Sequence, residues 1–317
     1  MSIWDPAPQP ATRLGRHRIL SPTAAIRVSP LCLGAMNFGE AWKDFMGECS
    51  KDTAFEMLDH FYASGGNFID TANCYQNEES ECWLGEWMAA RGLRDRIVLA
   101  TKYTTDLKTG QRASAHDQHS NFTGNSAKSL RVSLEASLRK LQTSYVDVLY
   151  VHWWSGDTSV EELMQSLNDV VRAGKALYLG VSDTPAWIVS KANQYARDHG
   201  LRQFCVYQGL WSAAARDLER EILPMCQAEG MAVAPWGALG GGHFLSDEAR
   251  KAKEKDRSGR QMGPATEKAV KVSRVLEEIA NARGTLITSV ALAYVMHTSP
   301  DVSSALPSCC SRCVANL

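Results

Sequence analysis

No stretch of this sequence approaches the roughly 18 consecutive apolar residues that a membrane-spanning helix needs, which excludes a helical membrane span. Charge of one sign is also missing: 34 Lys and Arg stand against 35 Asp and Glu. A chain so balanced offers no basic field for nucleic acid or for an anionic membrane surface. The first ten residues are polar and proline-rich and lack the basic and apolar regions of a signal peptide. A cytoplasmic, reducing setting is the expectation. Paired metal-ligand motifs are scarce as well. The nine cysteines are odd in number and mostly scattered, as at Cys32, Cys49, Cys74, Cys82, Cys205 and Cys226. They read as buried thiols behaving as small hydrophobes, not as a disulfide framework. Cys309, Cys310 and Cys313 do cluster, but no further Cys/His pair completes a four-ligand site. His116 and His119 sit in a polar stretch and read as loop residues, so no metal is expected.

Apolar residues, by contrast, are plentiful: 44% of 317, enough for a large core. They fall into short apolar runs separated by amphipathic stretches. Strands are expected over 31–33, 67–70, 97–101, 146–152, 176–181, 204–208 and 231–235. Helices are expected over 53–63, 80–91, 126–140, 160–172, 186–198 and 218–229, five of them stopping at a glycine. Strands alternating with helices imply a parallel sheet. The first strand lacks the tight glycine turn that an open doubly wound sheet uses to hold a dinucleotide. Polar residues instead end several different strands, where barrel active sites form. The expected fold is a single (β/α)8 barrel domain spanning 1–317. Residues 104–124 read as a polar loop bordering the site, and 246–263 as a solvated, mobile segment able to act as a lid. Closure of the barrel requires 302–306 to serve as an eighth strand, since a missing one would leave open edges.

Four strand ends present groups that can converge: Asp70, Tyr75 just beyond it, Lys102 and His152. Each alone is uninformative. Together they suit carbonyl reduction, which needs a proton donor for the oxygen as hydride reaches the carbon. A phenol with an ordinary pKa near 10 is a reluctant donor. A neighbouring ammonium stabilises the phenolate left behind, and a carboxylate keeps that ammonium charged and in place. An imidazole can orient the carbonyl oxygen.

The segment Asn67-Phe68-Ile69-Asp70-Thr71-Ala72-Asn73-Cys74-Tyr75 resembles the signature of the aldo-keto reductases. Ala100-Thr101-Lys102 is similar to the family's lysine-bearing third strand, and Asp147-Val148-Leu149-Tyr150-Val151-His152 to its histidine-bearing fourth. The resemblance implies Tyr75 as general acid, Lys102 tuning its pKa, Asp70 pairing with Lys102, and His152 orienting the carbonyl. It also implies NADPH/NADP+ as cofactor. Ser182 and Asp183 resemble the pair that holds the nicotinamide carboxamide, with Asp183 where many members carry Asn. Gln208 matches a glutamine on the same amide, and Trp236 the aromatic residue that stacks on the ring. The loop Gly237, Ala238, Leu239, Gly240, Gly241, Gly242 would bring backbone N–H groups to a pyrophosphate.

His152-Trp153-Trp154, the run Val181-Ser182-Asp183-Thr184-Pro185-Ala186-Trp187 and Ala234-Pro235-Trp236 resemble the fungal norsolorinic acid reductase and aryl-alcohol dehydrogenase branch. That branch implies an aromatic aldehyde, ketone or alcohol as substrate and a place in secondary metabolism. Trp153, Trp154 and Trp211 are candidate walls for an aromatic ring. The resemblance covers about 31–297. From 298 to 317 the sequence departs from the family's eighth strand and basic 2′-phosphate grip, as an altered reading frame or splice variant would, and Arg312 is the one basic residue there. Two alternatives therefore stand beside the enzyme: a cofactor-binding regulatory barrel subunit, and a catalytically impaired variant.

Overall fold

The computed structural model describes residues 9–108, 116–256, 263–298 and 308–309. An antiparallel hairpin comes first, β1 (Arg18–Ser21) and β2 (Ala24–Val28), with Arg18 opposite Val28. Eight parallel strands follow: β3 (Cys32–Gly34), β4 (Phe68–Asp70), β5 (Val98–Tyr103), β6 (Val146–Val151), β7 (Ala176–Ser182), β8 (Phe204–Gln208), β9 (Ala232–Val233) and β10 (Ser308–Cys309). The sheet runs β10-β3-β4-β5-β6-β7-β8-β9. Neighbours from β3 to β9 follow chain order with no reversal, unlike a doubly wound sheet, whose order reverses at its ligand crevice. The architecture is that of the eight-stranded α/β barrel. Among the described residues, no ladder joins β9 to β10. The expected eighth strand at 302–306, and Arg312, lie outside the described residues; Ser308 and Cys309 pair with Cys32 and Leu33.

Helices α1 (Lys43–Met46), α2 (Lys51–Ala63), α3 (Glu79–Arg91), α4 (Ala127–Lys140), α5 (Val160–Arg172) and α6 (Ala186–His199) fall between successive strands. Then come α7 (Ile222–Ala228), α8 (Asp247–Asp256), α9 (Glu267–Arg283) and α10 (Ile287–His297). Ser50, Ser126, Ser159 and Thr266 cap α2, α4, α5 and α9, each side chain accepting an otherwise orphaned first-turn N–H. At the other end, Gly92 and Gly200 close α3 and α6 in the left-handed conformation.

Alternate strand residues face opposite sides, and this parity builds the site. Outward residues such as Ile69, Leu99, Leu149 and Leu179 pack under the helices with Leu58, Leu84, Leu134 and Leu163. Inward ones such as Phe68, Val98, Val148, Val206 and Ala232 form a second core with Leu20, Ala24 and Val28 of the hairpin. The hairpin thus stops the barrel where its strands begin. Continued by twos towards the strand ends, the inward positions are Gly34, Asp70, Lys102, His152, Ser182, Gln208 and Trp236.

Two expectations are corrected. The run 218–229 is not one helix: a turn at Asp217–Glu219 precedes α7. Pro224 would sit inside the longer helix, where it costs about 3 kcal/mol, but falls in the first turn of α7. Within the expected solvated segment 246–263, Asp247–Asp256 forms a helix whose Glu248, Ala249, Lys251 and Ala252 are exposed, and 257–262 lie outside the described residues. Ala, Lys and Glu favour helix there, and Asp247 in its first turn pairs with Arg250 and, at 3.1 Å, with Arg274. Trp211, a candidate wall, is instead fully buried and donates its indole N–H to Glu219 at 2.9 Å.

Candidate active site

The C-terminal mouth of the barrel opens into a cavity of about 630 Å³, whose lining includes Asp70, Tyr75, His152, Gln208 and Trp236. Lys102 lies beneath it, fully buried. Its ammonium donates to Asp70 Oδ2 at 2.6 Å, to the Thr71 carbonyl at 2.7 Å and to the Tyr75 hydroxyl at 3.3 Å. The His152 ring stands edge-on to Tyr75, with centroids 5.9 Å apart. All four residues singled out for chemistry meet at one point.

Their electrostatics follow from burial and pairing. Burial disfavours the Lys102 charge, yet Asp70 and Tyr75 together outweigh it and hold the ammonium above its ordinary pKa. For Tyr75 the balance goes the other way. Burial pushes it up to about 12, and Lys102 pulls the other way without winning. At neutral pH it is therefore a protonated phenol, the form that donates. His152 is pushed down to about 3, chiefly by burial and further by the Lys102 charge, so it is a neutral imidazole.

Tyr75 is presented by a strained turn. Gln76, Asn77 and Glu78 have φ of +53°, +51° and +83°, three successive non-glycine residues in the left-handed region. Each is held in place. Gln76 accepts the Trp42 backbone N–H at 2.7 Å and donates to the Met36 carbonyl at 3.1 Å. Asn77 accepts the Trp42 indole N–H at 3.0 Å. Lys140, from the end of α4, donates to Glu78 and to the Asn73 carbonyl, and pairs with Glu81 at 2.7 Å. Local sequence patterns do not reveal this clasp, because Lys140 is 62 residues from Glu78.

On the opposite wall, Ser182 donates to Asp183 at 3.0 Å, and Trp236 donates its indole N–H to the same carboxylate at 3.2 Å. Burial raises the Asp183 pKa. Gly237, Gly240 and Gly241 line the cavity. Ala238 is buried in the core, and Leu239 packs against it. The amides of Gly240 and Gly242 donate within the loop, to Gly237 and Leu239. Trp153 stands exposed beside the site and Trp154 packs against the core. In the neighbouring loop His119 pairs with Asp106 at 3.0 Å. Unforeseen lining residues include Met36, Asn37, Leu210, Ser212 and Thr266, which come from loops or helix ends that carry no periodic signal.

A model of the Aldo/keto reductase family matches residues 30–312. The chain belongs to the aldo/keto reductase family. Membership makes it an oxidoreductase. Norsolorinic acid reductase B of Dothistroma septosporum is 62% identical over 90% of this chain and 72% of its own length. Norsolorinic acid reductase A of Aspergillus parasiticus is 58% identical over 95% of this chain and 75% of its own. An aryl-alcohol dehydrogenase of Phanerodontia chrysosporium, whose name specifies NADP(+), is 49% identical over 95% of this chain and 80% of its own. These likenesses agree with the branch on which the sequence motifs converge.

Proposed function

We propose that this aldo/keto reductase interconverts an aryl aldehyde or ketone and the matching alcohol, with NADPH/NADP+ as the hydride partner. The observation that carries the reading is the single point at which Tyr75, Lys102, Asp70 and His152 meet, at the floor of a cavity with Trp236 on its wall. The donor set fits a nicotinamide. Trp236 exposes 40% of its surface, enough to stack a flat ring. Ser182 and Gln208 offer hydroxyl and amide groups to a carboxamide, and Asp183 adds an acceptor for its NH2. The loop glycines keep Cβ atoms out of the space beside them, with nothing nearer than 4.0 Å around the open side of Gly241.

When bound, the nicotinamide supplies or accepts the hydride. The chain's own residues do the rest. Tyr75 gives its proton to the carbonyl oxygen in reduction and recovers it from the alcohol in oxidation. Lys102 stabilises the phenolate between these events, and Asp70 keeps Lys102 charged. His152 orients the oxygen between itself and Tyr75. The names of the aryl-alcohol dehydrogenase and norsolorinic acid reductase relatives support the substrate class.

The test is NADPH consumption by purified chain with a panel of aryl aldehydes, alongside fluorescence titration of NADPH. Turnover is expected, and Tyr75→Phe should abolish it while leaving cofactor binding intact. Tight NADPH binding with no turnover on any aldehyde would reject the enzyme and favour a cofactor-binding subunit.

A further inference from the structure

Thr105 lies three positions beyond Lys102, and its hydroxyl oxygen is 3.3 Å from His152 Nδ1. The indole N–H of Trp153 donates to the same oxygen at 3.1 Å, and the Cys74 thiol shares a hydrogen bond with it. An indole nitrogen can only donate, so it occupies a lone pair of Thr105 and leaves the hydroxyl proton for another neighbour. Two remain, a ring nitrogen and a thiol sulfur, and sulfur is a weak acceptor. Of the two, Nδ1 is the stronger acceptor, and it can take that proton only when it is bare. A neutral imidazole then carries its own proton on Nε2.

The surrounding turn is built to keep this arrangement. Thr104 has φ of +103°, an outlier for a β-branched residue. In that conformation its hydroxyl accepts the backbone N–H of His152 at 3.2 Å and the Asn125 amide at 3.1 Å. Asn125 also donates to the Trp153 carbonyl at 3.0 Å, and Asn73 donates to the Thr105 carbonyl at 2.9 Å. One strained turn thus holds the histidine by its backbone and by its ring.

We propose that Thr105 is a positioning residue that locks His152 in the Nε2–H tautomer, so that the imidazole presents a donor to the carbonyl oxygen in the cavity. The consequence for turnover rests on the reductase reading above; the tautomer itself belongs to the protein alone. Long-range proton–nitrogen NMR of the full chain reports which ring nitrogen of His152 bears the proton, with His152→Gln assigning the signals. The expected result is Nε2–H in the native chain and in Thr105→Ser, and loss of that single tautomer in Thr105→Val. In NADPH assays, Thr105→Val should lower kcat about tenfold, the scale of one lost neutral hydrogen bond. NADPH affinity should stay unchanged, and Thr105→Ser should restore kcat. A native His152 protonated on Nδ1, or a Thr105→Val variant with unchanged tautomer or unchanged kcat, would overturn the proposal. A native chain that shows the expected tautomer and binds NADPH without turnover sinks the reductase reading and leaves the assignment of Thr105 standing.

Discussion

Gln208 on β8 donates its side-chain amide to Asp70 on β4, at 3.2 Å across the barrel interior. Lys102 takes the other carboxylate oxygen at 2.6 Å, so both oxygens of Asp70 are engaged. Lys102 is fully buried and Asp70 nearly so. Asp70→Asn removes the charge that lets the ammonium remain charged there. Taking one partner from a buried pair costs about 3–5 kcal/mol. Chemical denaturation of variant and native chain side by side should show a loss of that size. Turnover should fall by about 10²-fold or more, the scale of misplaced acid–base catalysis. A variant as stable as the native chain would mean that Lys102 gives up its proton at little cost.

The pKa directions set the pH profile of carbonyl reduction. Tyr75, raised to about 12, stays protonated and able to donate through the neutral range. His152, lowered to about 3, stays neutral through it. Neither group changes state between about pH 5 and 9, so kcat for reduction should be flat there. Alcohol oxidation needs the phenolate, whose fraction rises with pH below the Tyr75 pKa, so its rate should climb steadily over the same interval. Measuring kcat in both directions from pH 5 to 9 checks this. An acidic limb centred near 6.5 in the reduction profile would show that the imidazole titrates as an exposed histidine does.

The strand ends are legible in the sequence because period-two alternation is a strong signal and a barrel directs it to one mouth. Asp70, Lys102, His152, Ser182, Gln208 and Trp236 each continue an inward row begun by apolar residues. The hairpin β1–β2 is not legible, since Arg18 and Arg27 interrupt a short apolar run that gains meaning only by stopping the barrel. Helix α8 escapes because it is almost wholly charged, so its stability comes from propensity and ion pairs. The residues that steady the site escape for a different reason. Thr105 meets His152 across 47 positions and Lys140 meets Glu78 across 62, and no local spacing encodes either encounter.

Lys140 offers a separate test of the strained turn. Its ammonium, mostly buried, lies between Glu78 and the fully buried Glu81, and burial is outweighed by those carboxylates in keeping its pKa raised. Lys140→Met retains the stem but strands the buried Glu81 carboxylate, while Glu78 keeps its pair with Lys108 at 3.0 Å. Stability should fall by about 3–5 kcal/mol in chemical denaturation. Freed of the Asn73 and Glu78 contacts, the left-handed turn can relax and carry Tyr75 away from Lys102. The expected kinetic mark is a lower kcat with NADPH affinity unchanged. Destabilisation without any change in kcat would show that the turn keeps Tyr75 in place unaided.

Two neighbouring glycines separate the loop's structural demand from its proposed part in cofactor binding. Gly240 and Gly241 have φ of +65° and +63°, so alanine at either carries similar left-handed strain, about 1–2 kcal/mol. Their surroundings differ. A Cβ at Gly240 would lie 2.8 Å from the ring of Phe244, which packs with Leu276 and Ala291 of α9 and α10. A Cβ at Gly241 meets nothing nearer than His243 at 4.0 Å, and Gly241 lines the cavity. Gly240→Ala should therefore lower the melting temperature more, by disturbing that small core. Gly241→Ala should instead weaken NADPH binding roughly tenfold, about 1.4 kcal/mol, with the smaller loss of stability. Thermal melts and fluorescence titrations on the two variants give the comparison. NADPH binding to Gly241→Ala as tight as to the native chain would place the cofactor away from this loop.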